Sequence, residues 1–230
     1  MPKVGYARPF PQVPLKEVYR YMGYKGRTPG RDIQSRVEAV IEKLRGAAQP
    51  RLLYQRFPLV WQEGNAQAAD FALQGQDVLN NLRGCREVYL IAATLGSGVD
   101  RLITRLALDS SADMVILQAA AAAALEEVLD QEEQAVKERL RPQGLSLKPR
   151  FSPGYGDMPL SMQPRLLSAL SAPRLLGLSV TDSLMLTPQK SVTAFAGICP
   201  LGEERVTKRG CGACAKEDCA LRQDKQQEEV

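Results

Sequence analysis

The chain has no histidine. That absence removes the side chain whose charge changes near neutral pH and the commonest nitrogen ligand for metals. Ser-His-Asp and Cys-His catalysis are both excluded, and any metal site must rest on thiolates or carboxylates. Aromatic residues make up only 6% of the chain, with a single tryptophan. No apolar run reaches the roughly 18 residues that a membrane-spanning helix needs, so no segment is expected to cross a bilayer. The opening "MPKVGYARPFPQVP" lacks the apolar core of a signal peptide, which predicts a cytoplasmic protein. The net charge is only +4, with basic residues dispersed among acids. No stripe for nucleic acid is expected, and neither nucleic acid nor a membrane is an expected partner.

What is present suits an ordinary globular protein. The 230 residues are 44% hydrophobic and 24% charged, enough for one large domain or two small ones with a real core. "PLKEVYRYMGY" reads as a short helix with Val18, Met22 and Tyr19 inward. Asp32 is the expected cap of a second helix, "IQSRVEAVIEKLRG", whose Ile33, Val37, Val40, Ile41 and Leu44 recur at helical spacing and which Gly46 should end. "RLLYQRFPLVWQ" has strand character, but Pro58 predicts an edge strand or a bent one. A polar, glycine-containing stretch follows, then a helix in "GQDVLNNLRGC". "REVYLIAATLG" is the best strand, apolar enough to be buried on both faces.

"TLGSGVDRLITRLAL" starts as a glycine turn and continues as a helix. It lacks GxGxxG and GKS/T patterns, so a tight strand-to-helix turn is favoured over phosphate binding. Residues 113–140 form the longest helical stretch. The alanines from Ala119 to Ala124 leave a flat surface for another backbone or a ligand. Glu126 and Asp130 lie one turn apart beside it, and Glu126 bounds the alanine face. Glu127, Glu132 and Glu133 are expected to face solvent. Further on, "LSLKPRF" reads as a strand, "SMQPRLLSAL" as a helix, "LLGLSVTDSLMLTP" as a strand pair and "KSVTAFAGI" as another strand. Helices and strands do not alternate regularly. The expected fold is therefore α+β, with a mixed, largely antiparallel sheet flanked by helices.

The loop "RFSPGYGD" carries the most chemistry. Gly154 and Gly156 can take positive φ and let a ligand come close to the backbone. Pro153 fixes one φ and holds Ser152 extended. Tyr155 offers a ring and a hydroxyl. Arg150 offers a planar fork suited to a carboxylate. On composition alone, a simple Pro-Gly turn is the favoured account.

Arg150-x-x-x-Gly154-Tyr155 resembles the RxxxGY signature of the activation domain of vitamin B12-dependent methionine synthase. "KEVYRYMGY", "AATLGSGVDRLI", "AAALEEVLD" and "TPQKSVTAFAGI" resemble further segments of that family in the same order, across residues 15 to 222. The resemblance implies an activation-domain-like fold that binds S-adenosylmethionine over residues 1–198. It implies Arg150 on the ligand's carboxylate, Glu126 on its amino group, and the backbone of Pro153, Gly154, Tyr155 and Gly156 along the adenine. It also implies cobalamin carried by a partner, either a corrinoid-binding protein or methionine synthase modules. An electron donor such as a flavodoxin or ferredoxin would complete the system. Methyl transfer from sulfonium to reduced cobalt is chemistry of the two cofactors, so the missing histidines are no obstacle. The family also uses an acid near the domain's start, for which only Glu17 is available here. The chain has no homocysteine, folate or cobalamin module, so it is methyltransferase-associated rather than a complete synthase.

Cys199, Cys211, Cys214 and Cys219 follow the spacing C-x11-C-x2-C-x4-C. In a reducing compartment this favours metal over disulfides. Four thiolates suit zinc or an iron–sulfur cluster; a redox dithiol and inert thiols are the alternatives. Residues 199–222 therefore read as a Cys-rich tail and 223–230 as a disordered C-terminus. Cys85, beside the best strand, is expected to be a core thiol. Two functions compete: support for reductive remethylation of cobalamin on a separate protein, and a zinc-binding interaction module with a vestigial ligand site. A doubly wound methyltransferase is disfavoured because no glycine-rich first turn opens the chain.

Overall fold

The structure, a computed structural model, describes residues 6–204. Its elements are β1 (Tyr6–Ala7), α1 (Leu15–Tyr21), α2 (Arg31–Ala47), β2 (Arg51–Gln62), β3 (Asn65–Ala68), β4 (Phe71–Ala72), α3 (Gln76–Leu82), β5 (Glu87–Thr94) and α4 (Ser97–Asp109). They continue with α5 (Ser111–Leu140), β6 (Leu145–Leu147), α6 (Met162–Leu170), α7 (Ala172–Leu176), β7 (Ser179–Val180), β8 (Leu186–Thr187) and β9 (Ser191–Pro200). The main sheet runs β4-β3-β2-β5-β9-β6, with β1 also on β2, and β7-β8 form a separate ribbon. Every pairing is antiparallel. The fold is α+β, as expected.

β5 is the centre. It pairs along its length with β2 on one side and β9 on the other. Its side chains alternate between two buried clusters, as a strand period of two requires. Tyr89, Ile91 and Ala93 face one cluster with Leu52, Tyr54, Ala194 and Ala196, under α1, α2, α4 and α5. Val88, Leu90 and Ala92 face the other with Leu53, Phe195 and Cys199, under α3, α6 and α7. Both faces of β5 are thus covered, which is why it reads as a nearly continuous apolar run.

α5 spans the first face. Ser110 caps it by accepting from the Asp113 N–H. Ala119, Ala120, Ala121, Ala123 and Ala124 are all buried, and α1, α2 and α4 pack on this helix. The alanine surface is therefore used by neighbouring helices: without long side chains, helix axes can approach closely. Gly98 in α4 serves the same end, since a Cβ there would collide with the carbonyl of Ala47 in α2. The glycine turn before α4 is a packing feature.

Several expectations need correcting. Pro58 lies in an interior strand, not at a sheet edge. It occupies the last rung of the β2–β5 ladder, and pairing with β3 starts one residue later at Leu59. The missing N–H thus falls where the strand changes partners. The cap position of α2 is Gly30, with Asp32 in the first turn, and the helix runs through Gly46 to Ala47. The polar stretch after β2 contains the β3–β4 hairpin. Glu63 and Gly64 both have positive φ, as a two-residue hairpin turn between Gln62 and Asn65 demands. Glu132 and Glu133 do not face solvent: the Glu132 side chain is 1% exposed and that of Glu133 13%.

Candidate ligand-binding site

Glu126, Asp130 and Glu133 stand at positions i, i+4 and i+7 of α5, one stripe of a helix. Arg150 meets them from the segment after β6. Its neighbour Phe151 bridges Phe195 on β9, through N–H to O contacts of 2.8 Å in each direction. Phe151 packs on the cluster beneath α3 and α6. Successive side chains of an extended chain point to opposite faces, so Arg150 is turned towards α5. Its Nη1 donates to Glu133 at 2.7 Å, and its Nη2 donates to Asp130 at 2.6 Å and to Glu126 at 3.1 Å. Glu133 also pairs with Lys137 at 2.8 Å.

The exposures are inverted relative to an ordinary surface pair. The Arg150 side chain is 16% exposed, while Glu126 is 45% and Asp130 63% exposed. Burial is the largest influence on the guanidinium and acts to lower its pKa, but Glu133, Asp130 and Glu126 together outweigh it and raise the value. Arg150 is therefore a fixed cation. Behind it, the Tyr54 hydroxyl is buried with no hydrogen-bond partner among the described residues. Burial first, then Glu133, hold that phenol protonated, against the opposing pull of Arg150. Tyr54 is thus a donor beside the cluster, and sequence reasoning missed it. A tyrosine in a strand carries no signal of its own.

α1 brings a second group to the same helix. Tyr21 is raised by burial first, with Arg20 opposing and Glu126 and Glu17 adding to the shift. Glu17, the acid singled out near the N-terminus, pairs with Arg20 at 2.8 Å. It lies within electrostatic reach of the tyrosine that senses Glu126.

The loop after Arg150 is closed by its own backbone. Tyr155 N–H donates to Ser152 O at 3.1 Å, Met158 N–H to Tyr155 O at 3.0 Å, and Gly154 N–H to Met158 O at 2.9 Å. Gly154 has φ 91° and Gly156 φ 53°, so both use the conformational freedom expected of them. Pro153 and Met158 are buried while Gly154, Tyr155, Gly156 and Asp157 are exposed. Tyr155 stands out at 69% exposed. The structure therefore brings Glu126 and Arg150 into contact and presents the loop backbone next along the chain. Asp130 and Glu133 complete the cluster. Asp130 stands out in the sequence one turn from Glu126; continuing that stripe to i+7 was the signal that could have added Glu133.

Of the cysteines, Cys199 belongs to β9 and is buried, its thiol donating to Ser146 O at 3.7 Å. Cys85 is buried against Gly197, as expected of a core thiol, and burial pushes its pKa up to about 11. Cys211, Cys214 and Cys219 lie outside the described residues. Two hollows, of about 510 and 450 Å³, lie away from Arg150. One is lined by Gln12, Val13, Glu38 and Arg45, the other by Ala47, Gln49, Arg101 and Arg105. Neither gathers a buried charged cluster, so the chemistry at Arg150 is the better guide to a site.

The class is now defined: an α+β domain with an antiparallel sheet covered by helices on both faces and an arginine–carboxylate cluster leading into a glycine loop. Among solved structures, the chain is similar to the MetH reactivation domain in a crystal structure bound to AdoHcy. The match has a TM-score of 0.66 at 13% identity and covers 93% of this chain and 83% of that one. The chain has the fold of that domain. No family model matches the chain, and no curated protein matches it in sequence. Among the described residues, no helix is long and apolar enough to cross a membrane.

Proposed function

We propose that this chain binds S-adenosylmethionine at the Arg150 cluster and supports reductive remethylation of cobalamin held by a separate corrinoid protein or methionine synthase. The observation that carries the reading is the contact between Arg150 and Glu126, whose partners lie 24 residues apart in sequence. It sits in a chain with the fold of a domain seen bound to AdoHcy. The donor set suits an amino-acid end. Arg150 can take a carboxylate through charge-assisted hydrogen bonds, with the Tyr54 hydroxyl, unpartnered among the described residues, alongside. Glu126, with Asp130 one turn away on the same guanidinium, can accept from an ammonium group. Within the Pro153, Gly154, Tyr155 and Gly156 loop the Gly154 and Tyr155 N–H groups are already used, so the adenine would meet the Gly156 N–H and the carbonyls of exposed Gly154 and Gly156. When bound on its partner, cobalamin supplies the cobalt that receives the methyl group. This chain's residues bind and orient the donor, and none needs to move a proton.

Calorimetric titration with S-adenosylmethionine tests the reading. Binding by the wild type supports it, and no binding overturns it. A second reading, a metal-binding tail on Cys199, Cys211, Cys214 and Cys219 holding zinc or an iron–sulfur cluster, rests on the cysteine spacing. Burial raises the pKa of Cys199, whereas metal ligation needs a thiolate. Of the four, Cys199→Ser should therefore lower the metal content of anaerobically purified protein least.

A further inference from the structure

α3 holds the ligand loop at both ends. At its first turn, the N–H groups of Gln76 and Asp77 donate to the Asp157 carboxylate at 2.6 and 3.0 Å. Those amides have no partner inside a helix, and no side chain next to them in sequence caps them. A residue 80 positions away supplies the cap instead. At the other end, Asn81 Nδ2 donates to Pro149 O at 3.4 Å and Lys148 Nζ to Arg83 O at 2.6 Å. Lys148 and Pro149 immediately precede Arg150. A helix of seven residues thus spans the segment from just before Arg150 to just after Gly156.

The fit at the Asp157 end is tight enough to need glycine on both sides. A Cβ on Gly75, which has φ 111°, would lie 2.7 Å from Asp157 Oδ1 and 3.1 Å from the Met158 backbone. A Cβ on Gly156 would collide with the Asp77 carboxylate. The loop and the first turn of α3 therefore interlock. Buried Pro153 and Met158 plug the loop into the core from below, while its upper backbone stays exposed. α3 is in turn anchored by buried Val78, Leu79, Asn81 and Leu82.

We propose that Asp157 is a positioning residue for ligand binding: by capping α3 it sets the 153–156 backbone at a fixed distance from Arg150. This rests on the reading that the loop takes the adenosyl end and Arg150 the amino-acid end of S-adenosylmethionine. Asp157 itself touches no ligand. Its role is to spare the ligand the entropy of ordering a glycine-rich loop. The backbone hydrogen bonds from Asp77 and then Gln76 also lower its pKa, so the cap is charged at neutral pH.

The test pairs two ligands with three variants of the full chain. 5′-Methylthioadenosine carries the adenosyl end without the amino acid. Asp157→Ala should weaken both S-adenosylmethionine and 5′-methylthioadenosine by the same factor, about tenfold, the size of a lost helix cap. Asp157→Asn keeps one acceptor oxygen for one of the two amides and should recover only part of the loss. Arg150→Ala should weaken S-adenosylmethionine and leave 5′-methylthioadenosine unchanged. Amide exchange of residues 154–158 should quicken in Asp157→Ala and by less in Asp157→Asn, with or without ligand. Unchanged binding of both ligands in Asp157→Ala, or a loss confined to S-adenosylmethionine, overturns the positioning role and leaves the proposed function standing. Failure of the wild type to bind S-adenosylmethionine overturns both.

Discussion

α5 carries two ion clusters that differ in which charge is buried. At Glu132 the carboxylate is buried, and Arg8 and Arg139 reach it from the surface with side chains 39% and 59% exposed. At Arg150 a mostly buried guanidinium lies inside with Glu133, the two side chains 16% and 13% exposed, and Glu126 and Asp130 reach it from the surface. The first arrangement is closed. Its acid is enclosed between two arginines, and it ties the segment after β1 to the helix. The second is open, because partly exposed carboxylates can exchange a contact with the buried cation for one with an incoming ammonium. Ion pairs on one helix, neighbours in sequence, can form a closed staple in one case and an open, exchangeable cluster in the other. In the first only an acid lies inside; in the second a cation lies there beside one acid, with the other acids exposed.

The sharpest way to break this contrast is to remove the buried cation. Arg150→Ala should weaken S-adenosylmethionine binding at least a hundredfold, about 3 kcal/mol for a lost charge-assisted contact, as calorimetry will show. Removing the buried anion should act on stability instead. Glu132→Gln should cost about 2 kcal/mol in chemical denaturation by stranding two arginines, with ligand affinity within about twofold of wild type. A parallel loss of affinity would mean that the clusters are one unit. Glu126→Gln should weaken binding about tenfold, or about 1.4 kcal/mol, with little change in melting temperature. Asp130 is the most exposed acid of the set. Asp130→Asn should change affinity by no more than about threefold at low salt, and the difference should vanish at high salt. The smallest effect concerns the thiols. Burial raises the pKa of Cys85 first and foremost and that of Cys199 likewise, so alkylation at neutral pH should spare both in the folded protein and label both after unfolding.

Much of the fold was legible. The apolar run of β5, the helical spacing of α2 and the long α5 are local patterns, and each was found at about its true extent. The β3–β4 hairpin was not, because its strands of four and two residues are too short to show a period. Glu133 was misread as solvated. A charged residue on a helix usually is, and only the position of Arg150 shows that this stripe faces inward. Arg150, Glu126 and the glycines of the loop were singled out because their residue types suit a zwitterionic ligand and match a known signature, and the structure brings Arg150 and Glu126 into contact. Tyr54 and Asp157 were not, because what surrounds the one and what the other caps lie far away in the chain.

The sequence by itself determined the element types, the burial of the central strand, the absence of histidine chemistry and the arginine–glycine loop. These follow from periodicity, propensity and side-chain inventory, which are local properties. Only the tertiary structure decided that Arg150 lies inside a cage of three carboxylates, that the alanine surface serves helix packing, and that α3 holds the loop at both ends. Those outcomes depend on which strands pair and which faces meet, and a linear pattern does not encode contacts between residues 24 or 80 positions apart.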